Sequence, residues 1–236
     1  MSTSVAALTL DGFDKLPAHS RRCLFWEAEP GVAKDADDPV FEKEAWLSMV
    51  MLEWGSCGQV VVADGRPAGA AIYSPPVSVP RAKLFPTAPV SADAVLLTSL
   101  WLERGRSGCV QSASGADGEL SRQLVQAVVA DLVRRGVRAL EAFGFRHDGE
   151  ANDAGTDPEV PVATAARECS PALCMIGADF LEDVGFEVVA PHHRFPRFRL
   201  ELDHDHGWKE DVEYALDQLL AAAAAERTMV GAGSSR

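Results

Sequence analysis

Between Asp93 and Gly144 the chain carries an order of segments that few folds accommodate. Ala94 to Leu102 (AVLLTSLWL) is almost continuously apolar, which predicts a strand covered on both faces. A polar, glycine-bearing loop of about sixteen residues follows, longer than most strand-to-helix connections. Leu120, Leu124, Val128 and Leu132 then step by four, joined by Val125, Val129 and Val133, and so predict a helix with one broad apolar face. Gly136 supplies its stop, with Arg134 and Arg135 well placed in the last turn. Val137 to Phe143 (VRALEAF) reads as a second strand. A strand, crossover helix and strand in this order predict a parallel pair with right-handed connection, hence an α/β fold.

The flanks complete the organisation. Residues 1–20 read as an irregular or edge segment, and Arg22 to Glu27 (RCLFWE) as a first strand. Phe41, Ala45, Trp46, Met49, Val50 and Leu52 recur at helical spacing from Val40 to Trp54, with Gly55 as the stop. Gln59–Ala63, the turn Asp64-Gly65 and Ala68–Ser74 form a hairpin, and the proline-rich stretch 75–92 is irregular. Residues 144–168 read as an exposed loop, Pro171–Val184 as a helix, and Gly185–Val189 and Phe195–Leu202 as strands. One domain over 21–206 is therefore expected, followed by a helix in 207–226 and a tail over 227–236.

With 22 basic against 35 acidic side chains, the net charge of −13 argues against a nucleic-acid partner, because binding phosphates requires a basic face. It favours a cationic substrate over an anionic one. No run approaches the ~20 apolar residues of a membrane span, and the N-terminus lacks the basic start of a signal peptide. Five cysteines, Cys23, Cys57, Cys109, Cys169 and Cys174, read as free thiols of a reducing, cytoplasmic compartment. Cys169 and Cys174 form a loose pair with no second pair beside them, so spacing alone predicts no metal site. A zinc-stabilised module is the third functional class after the two below. His192-His193 and the His204/His206 cluster read as solvated turn residues.

The start of the central helix, Asp117 to Gln123, is the natural anion site of such a unit, since the first amides of a helix lack partners. Helical segment, DG hairpin, apolar strand, phosphate-type loop, helix, strand and the closing FLEDVGFEVV together resemble the GNAT superfamily of acyl-CoA N-acyltransferases, over roughly residues 20–202. The segments FWE, EWGSCG, FPTAPVS and EAFG are similar to an actinobacterial-type subgroup. The resemblance implies a mixed, mostly antiparallel sheet with a splayed parallel pair and helices on both faces. It implies acetyl-CoA as co-substrate, with the pantetheine arm against Leu100, Trp101 and Leu102. The pyrophosphate would sit on backbone N–H groups of Gly118, Glu119, Leu120, Ser121, Arg122 and Gln123. The acceptor would be a small-molecule or protein amine, and exposed sheet edges admit a homodimer.

The chain departs from that family in two places. Its phosphate loop usually reads Arg/Gln-x-x-Gly-x-Gly/Ala, whereas Glu119 and Ser121 stand at the glycine positions. A carboxylate there stabilises the free helix by ~0.3–1 kcal/mol but repels a pyrophosphate. The tyrosine that protonates the departing thiolate in the family, four residues before Gly-Phe, is here Leu181. Cys174, two helical turns earlier, is the remaining candidate donor, and Glu141, in phase with apolar Val137, Ala139 and Phe143, is the candidate general base. Asp93 is a weaker one. Two functions follow: acyl transfer from acyl-CoA to an amine by direct attack, or a degenerate, non-catalytic protein of the same shape that binds CoA weakly or not at all.

Overall fold

The computed structural model describes residues 3–103, 109–111, 115–146 and 169–202. The expectations for most of the 144–168 loop, for His204 and His206 and for the C-terminal helix and tail lie outside them. The DG pair does what its chemistry dictates. Asp64 (φ 50°) and Gly65 (φ 76°) occupy left-handed positions, which turn β2 (Gly58–Ala63) tightly into β3 (Arg66–Ser74). Around this hairpin lies a mixed sheet in the order β1-β2-β3-β4-β5-β8-β7, with β6 on the side of β5. Its remaining strands are β1 (Thr3–Ala7), β4 (Ala94–Leu102), β5 (Ala139–Phe145), β6 (Ile176–Gly177), β7 (Glu187–Ala190) and β8 (Arg197–Glu201). Among the described residues only β4/β5 and β5/β6 are parallel; the other neighbouring pairs are antiparallel.

Alternation along the central strands divides the core into two layers. On one face, Ile72, Leu96, Phe143 and Phe145 pack with Trp46, Leu47 and Val50 of α2 (Pro39–Glu53) and with Trp26 and Phe85. On the other, Tyr73, Val95, Leu97, Leu140 and Ala142 pack under Leu124, Val128 and Leu132 of α3 (Gly115–Arg134) and Phe180 and Leu181 of α5 (Ala178–Asp183). The expected α/β architecture, with helices on both faces, is therefore present. A buried polar chain fastens α3 to the hairpin. Gln59 Nε2 donates to Tyr73 Oη (3.1 Å), which donates to Asp131 (2.8 Å). Arg135 reaches Asp131 (3.2 Å) and the Ser56 and Trp54 carbonyls (2.7 Å each), with its guanidinium 3.6 Å from the Trp54 ring centre.

Four local expectations are corrected. Arg22 to Glu27 is not a strand: Cys23 N bonds His19 O and Ala28 N bonds Leu24 O, so the segment coils in helical turns. Its consecutive apolar residues, Cys23 to Trp26, are all buried, which a strand on one sheet face could not achieve. Helix α2 has its expected limits but turns a different side inward. Lys43 is buried, while Leu52 is 85% and Phe41 63% exposed. The stretch after Ser74 contains 3-10 turns over Pro76–Ser78 and Pro80–Leu84. The helix expected over Pro171–Val184 is broken into α4 (Pro171–Cys174) and α5, with β6 between them. Helix α1 (Pro30–Lys34) is a single short turn ahead of α2.

The start of α2 offers a clean test of local energetics. Asp38 accepts from Val40 N and Phe41 N at 3.1 Å each, as an N-cap does. Asp38→Ala is expected to lower unfolding stability by about 1 kcal/mol. In urea this appears as a lower midpoint at unchanged slope.

Candidate functional site

Strands β4 and β5 pair at Ala94↔Ala139, Val95↔Leu140 and Leu96↔Glu141, and there their pairing stops. Both continue, to Leu102 and Phe145, so the two strands part over their C-terminal halves. This is the opening into which the resemblance places the pantetheine arm. Two segments of the same chain lie in it. On the β4 side Val110 N donates to Leu100 O (2.9 Å), and Cys109 bridges antiparallel to Trp101. On the β5 side Ile176 and Gly177 of β6 pair with Gly144 and Phe145.

The two insertions also join each other. Gly177 N donates to Val110 O (2.9 Å) and Cys109 N to Leu173 O (2.7 Å). The Gln111 side-chain amide donates to the Cys109 and Met175 carbonyls at 3.0 Å each. The contact is tight: a Cβ on Gly177 would stand 2.6 Å from the Gln111 carbonyl oxygen and 2.7 Å from its Cα, so only glycine fits there. A recess of about 280 Å³ remains at the mouth, lined by Gln111, Phe145, Arg146, Gly177, Ala178 and Asp179. It lies at the bottom of the range for small-molecule sites. Of the three residues expected against pantetheine, Leu100 has its carbonyl taken and both Leu100 and Trp101 are buried. Leu102 packs partly buried in the α3 layer.

Helix α3 begins at Gly115, earlier than the glycine-loop reading places it. A helix leaves its first four N–H groups free, so the free donors end at Gly118. The amides of Glu119, Leu120, Ser121, Arg122 and Gln123 lie within the helical ladder. Ser121 is buried and its hydroxyl donates back to Asp117 O (2.7 Å), while exposed Glu119 accepts from Gln123 (3.1 Å). The first turn also carries Asp117, so two carboxylates flank the tip at which an anion would arrive.

The candidate proton-transfer groups are committed elsewhere. Glu141 is 0% exposed at the last position where β5 pairs with β4; its carboxylate pairs with Arg197, accepts from Arg199 (3.2 Å) and accepts from Ser91 N (3.2 Å). Arg199 in turn holds Asp93 through two bonds of 3.0 Å, and that guanidinium keeps the Asp93 carboxyl below the usual carboxylate range. An acid that weakly basic is poorly matched to deprotonating an amine. Leu181 is fully buried under the sheet.

The helix break removes the argument that placed Cys174 on one face with Leu181. Cys174 instead lies among Cys169, Cys23 and His19, and hydrogen bonds to Cys169 and Cys23, with burial, hold its thiol well above the usual range. Burial pushes the Cys57 thiol up to about 12, and Cys109 rises for the same reason. Cys57 and Cys109 are inert core thiols by the usual criterion. Sequence reasoning missed Val110, Gln111 and Gly177. The available signals were the extra length between Leu102 and Leu120 and the Cys-Met-Ile-Gly run that cannot continue a helix.

Glu141→Gln separates a structural carboxylate from a chemical one. Removing one member of a buried ion pair typically costs 3–5 kcal/mol, so the variant is expected to lose about 3 kcal/mol of unfolding stability in urea. A loss under about 1 kcal/mol would contradict the structural role.

No family model matches the chain, and no curated protein matches it. Solved structures of similar shape include the PaiA N-acetyltransferase from Thermoplasma acidophilum in complex with coenzyme A, at 11% identity and TM-score 0.48, covering 85% of this chain and 99% of that one. An N-acetyltransferase from Staphylococcus aureus Mu50 aligns at 12% identity and TM-score 0.46, over 86% of this chain and 100% of that one. The ribosomal-protein-S18-alanine N-acetyltransferase from Escherichia coli aligns at 14% and 0.41, over 86% and 95%. Among the described residues no helix is long and apolar enough to cross a membrane.

Proposed function

We propose that this chain has the frame of a GNAT-type acyl-CoA N-acyltransferase but acts as a non-catalytic binding or regulatory protein, its pantetheine slot taken by its own backbone. The observation that carries this reading is the hydrogen-bonded line Leu100 O, Val110 N, Val110 O, Gly177 N across the gap between β4 and β5. A pantetheine arm would need the β4 groups that Val110 uses. Glu119 and Ser121 at the glycine positions, Leu181 at the acid position, and the arginine-held Glu141 and Asp93 support the same conclusion. The resemblance to an actinobacterial-type subgroup belongs to this reading, as does a cytoplasmic setting for five free thiols.

A cationic partner fits the chemistry that remains exposed. The groove between α1 and α2, about 1100 Å³, carries Glu29, Asp35, Asp37 and Glu42 around Phe41 and Trp46. Carboxylates around an aromatic floor suit an amine or guanidinium ligand.

The splay of β4 from β5 favours a second reading, acetyl-CoA-dependent N-acylation. In that case residues 109–111 leave the gap, an unprotonated amine attacks the thioester directly, and β4 amides polarise its carbonyl. The departing thiolate takes its proton from solvent, since Leu181 has none to give. Thermal denaturation with millimolar acetyl-CoA distinguishes the two. The closed reading expects an unchanged midpoint and no acylation of a panel of amines above the protein-free rate. A ligand at 100-fold its Kd stabilises by about 2.7 kcal/mol, so a midpoint that climbs with acetyl-CoA concentration, together with amine acylation, overturns it. Glu119→Gly with Ser121→Gly is expected to leave the midpoint equally indifferent to CoA while residues 109–111 fill the slot.

A further inference from the structure

We propose that His19, Cys23, Cys169 and Cys174 bind one zinc ion in a tetrahedral, structural site. The inference stands apart from the reading of the cleft, because it rests on four side chains that no step above uses. Cys23 Sγ lies 3.6 Å from Cys174 Sγ and 3.7 Å from Cys169 Sγ. His19 Nε2 lies 3.8 Å from both Cys169 Sγ and Cys174 Sγ, and all four ligand atoms fall within 4.8 Å of one another. A tetrahedral zinc with Zn–S bonds of about 2.3 Å has ligand-to-ligand edges of about 3.8 Å, so the cluster already has the dimensions of a Cys3His shell. A disulfide would draw two sulfurs to about 2.05 Å and leave a third thiol and an imidazole beside it without a role. Three thiolates and an imidazole select a soft or borderline cation over magnesium or calcium.

The surroundings hold the ligands as a second layer does in zinc proteins. The His19 ring stacks on Trp101, with centroids 4.0 Å apart. The Cys23 carbonyl accepts from buried Lys43 (3.2 Å), and the Cys174 carbonyl accepts from Trp26 Nε1 and from the Cys109 thiol, both at 3.3 Å. Charge is balanced as well. Three thiols lose their protons to solvent on binding, and three thiolates against one divalent cation leave a single negative charge. Arg81 is 4% exposed, its guanidinium packs 4.1 Å from the Phe25 ring centre, and its Nε has no hydrogen-bond partner among the described residues. A guanidinium buried to this extent calls for an anion nearby. Four protein ligands leave no open position, so the site is structural and not hydrolytic.

The ligands come from two segments, residues 19–23 and 169–174, at least 146 positions apart between Cys23 and Cys169. The ion therefore staples the N-terminal turns to α4, beside Trp101 at the open end of β4 and immediately before β6. The test uses the full chain, produced with zinc in the medium and purified without chelator. Metal analysis is expected to find one zinc per chain. Cobalt exchanged for it is expected to give tetrahedral ligand-field bands with thiolate charge transfer. Cys23→Ser and Cys169→Ser are expected to lose the equivalent, Cys57→Ala to keep it, and His19→Cys to keep it with stronger thiolate charge transfer. The last variant separates loss of ligation from loss of fold. Chelation of the wild type is expected to lower its melting temperature and added zinc to restore it. A folded wild-type chain with far less than one zinc and no cobalt spectrum overturns the proposal. So does an equivalent retained by Cys23→Ser/Cys169→Ser, or a Cys23–Cys174 disulfide in freshly prepared protein.

Discussion

Two parallel strands that part inside a core create a debt of hydrogen bonds, and that constraint organises this structure. Past Leu96 and Glu141, β4 and β5 no longer serve each other, yet Leu100, Trp101, Phe143 and Phe145 are all buried. Buried backbone groups find partners almost without exception, since an orphan costs on the order of a full desolvation penalty. A fold with this opening has three ways to satisfy them: ligand, water or its own chain. The described residues use the third. Val110 completes β4, Ile176 and Gly177 complete β5, and the bond between Gly177 and Val110 closes the seam. What would be a cleft becomes a continuous sheet with two very short inserted members.

The strongly patterned parts of this arrangement were legible in the sequence. The DG hairpin, the apolar β4 with its stated limits, the helix of four-residue steps and the parallel partner strand all follow from periodicity and turn chemistry. Each has one dominant local cause. The seam has none. Cys109 to Gln111 is too short to carry a period, and Ile176-Gly177 interrupts what composition reads as one helix from Pro171. The aromatic run at Cys23–Trp26 misled for a related reason. Its side chains are buried by coiling under the sheet, with Trp26 stacked near Phe85 and Phe143, and β-propensity cannot distinguish that from a strand. The zinc ligands were hidden by distance. His19-x3-Cys23 and Cys169-x4-Cys174 are two ordinary ligand pairs, but only the second was recognisable as a pair, and nothing in spacing says they meet.

Buried charges in this chain are structural to an unusual degree. Glu141 between Arg197 and Arg199, Lys43 on Glu27, and Asp131 between Arg134, Arg135 and Tyr73 are each closed upon themselves. A catalytic carboxylate needs an oxygen that faces a reactant, and Glu141 has both of its oxygens in bonds to arginines or to the Ser91 amide. The same logic explains Arg199. Asp93, Glu201 and Glu141 surround it, which raises its pKa and lowers those of Asp93 and Glu201. Loss of those two depressed carboxylates' charge, as pH falls from their ordinary range through their folded values, removes stability that is fully present above it. The pairs therefore act on the fold and its acid limit, while the cleft between the strands receives no titratable group from them.

The seam and the proposed zinc shell share residues in a way that makes them one mechanical unit. Trp101 bridges to Cys109 with its backbone and stacks on His19 with its ring. Cys174 offers its thiol to the cluster and its carbonyl to Cys109, and Leu173 beside it accepts from Cys109 N. Displacing residues 109–111 from the gap would break the bonds that Cys109 makes to the Cys174 and Leu173 carbonyls, and loosening Cys174 would free the carbonyls that anchor the strap. Coupling of this kind needs no long pathway, because the two arrangements touch through shared atoms. A metal at the cluster thus favours the closed sheet by whatever it contributes to Cys174 and His19.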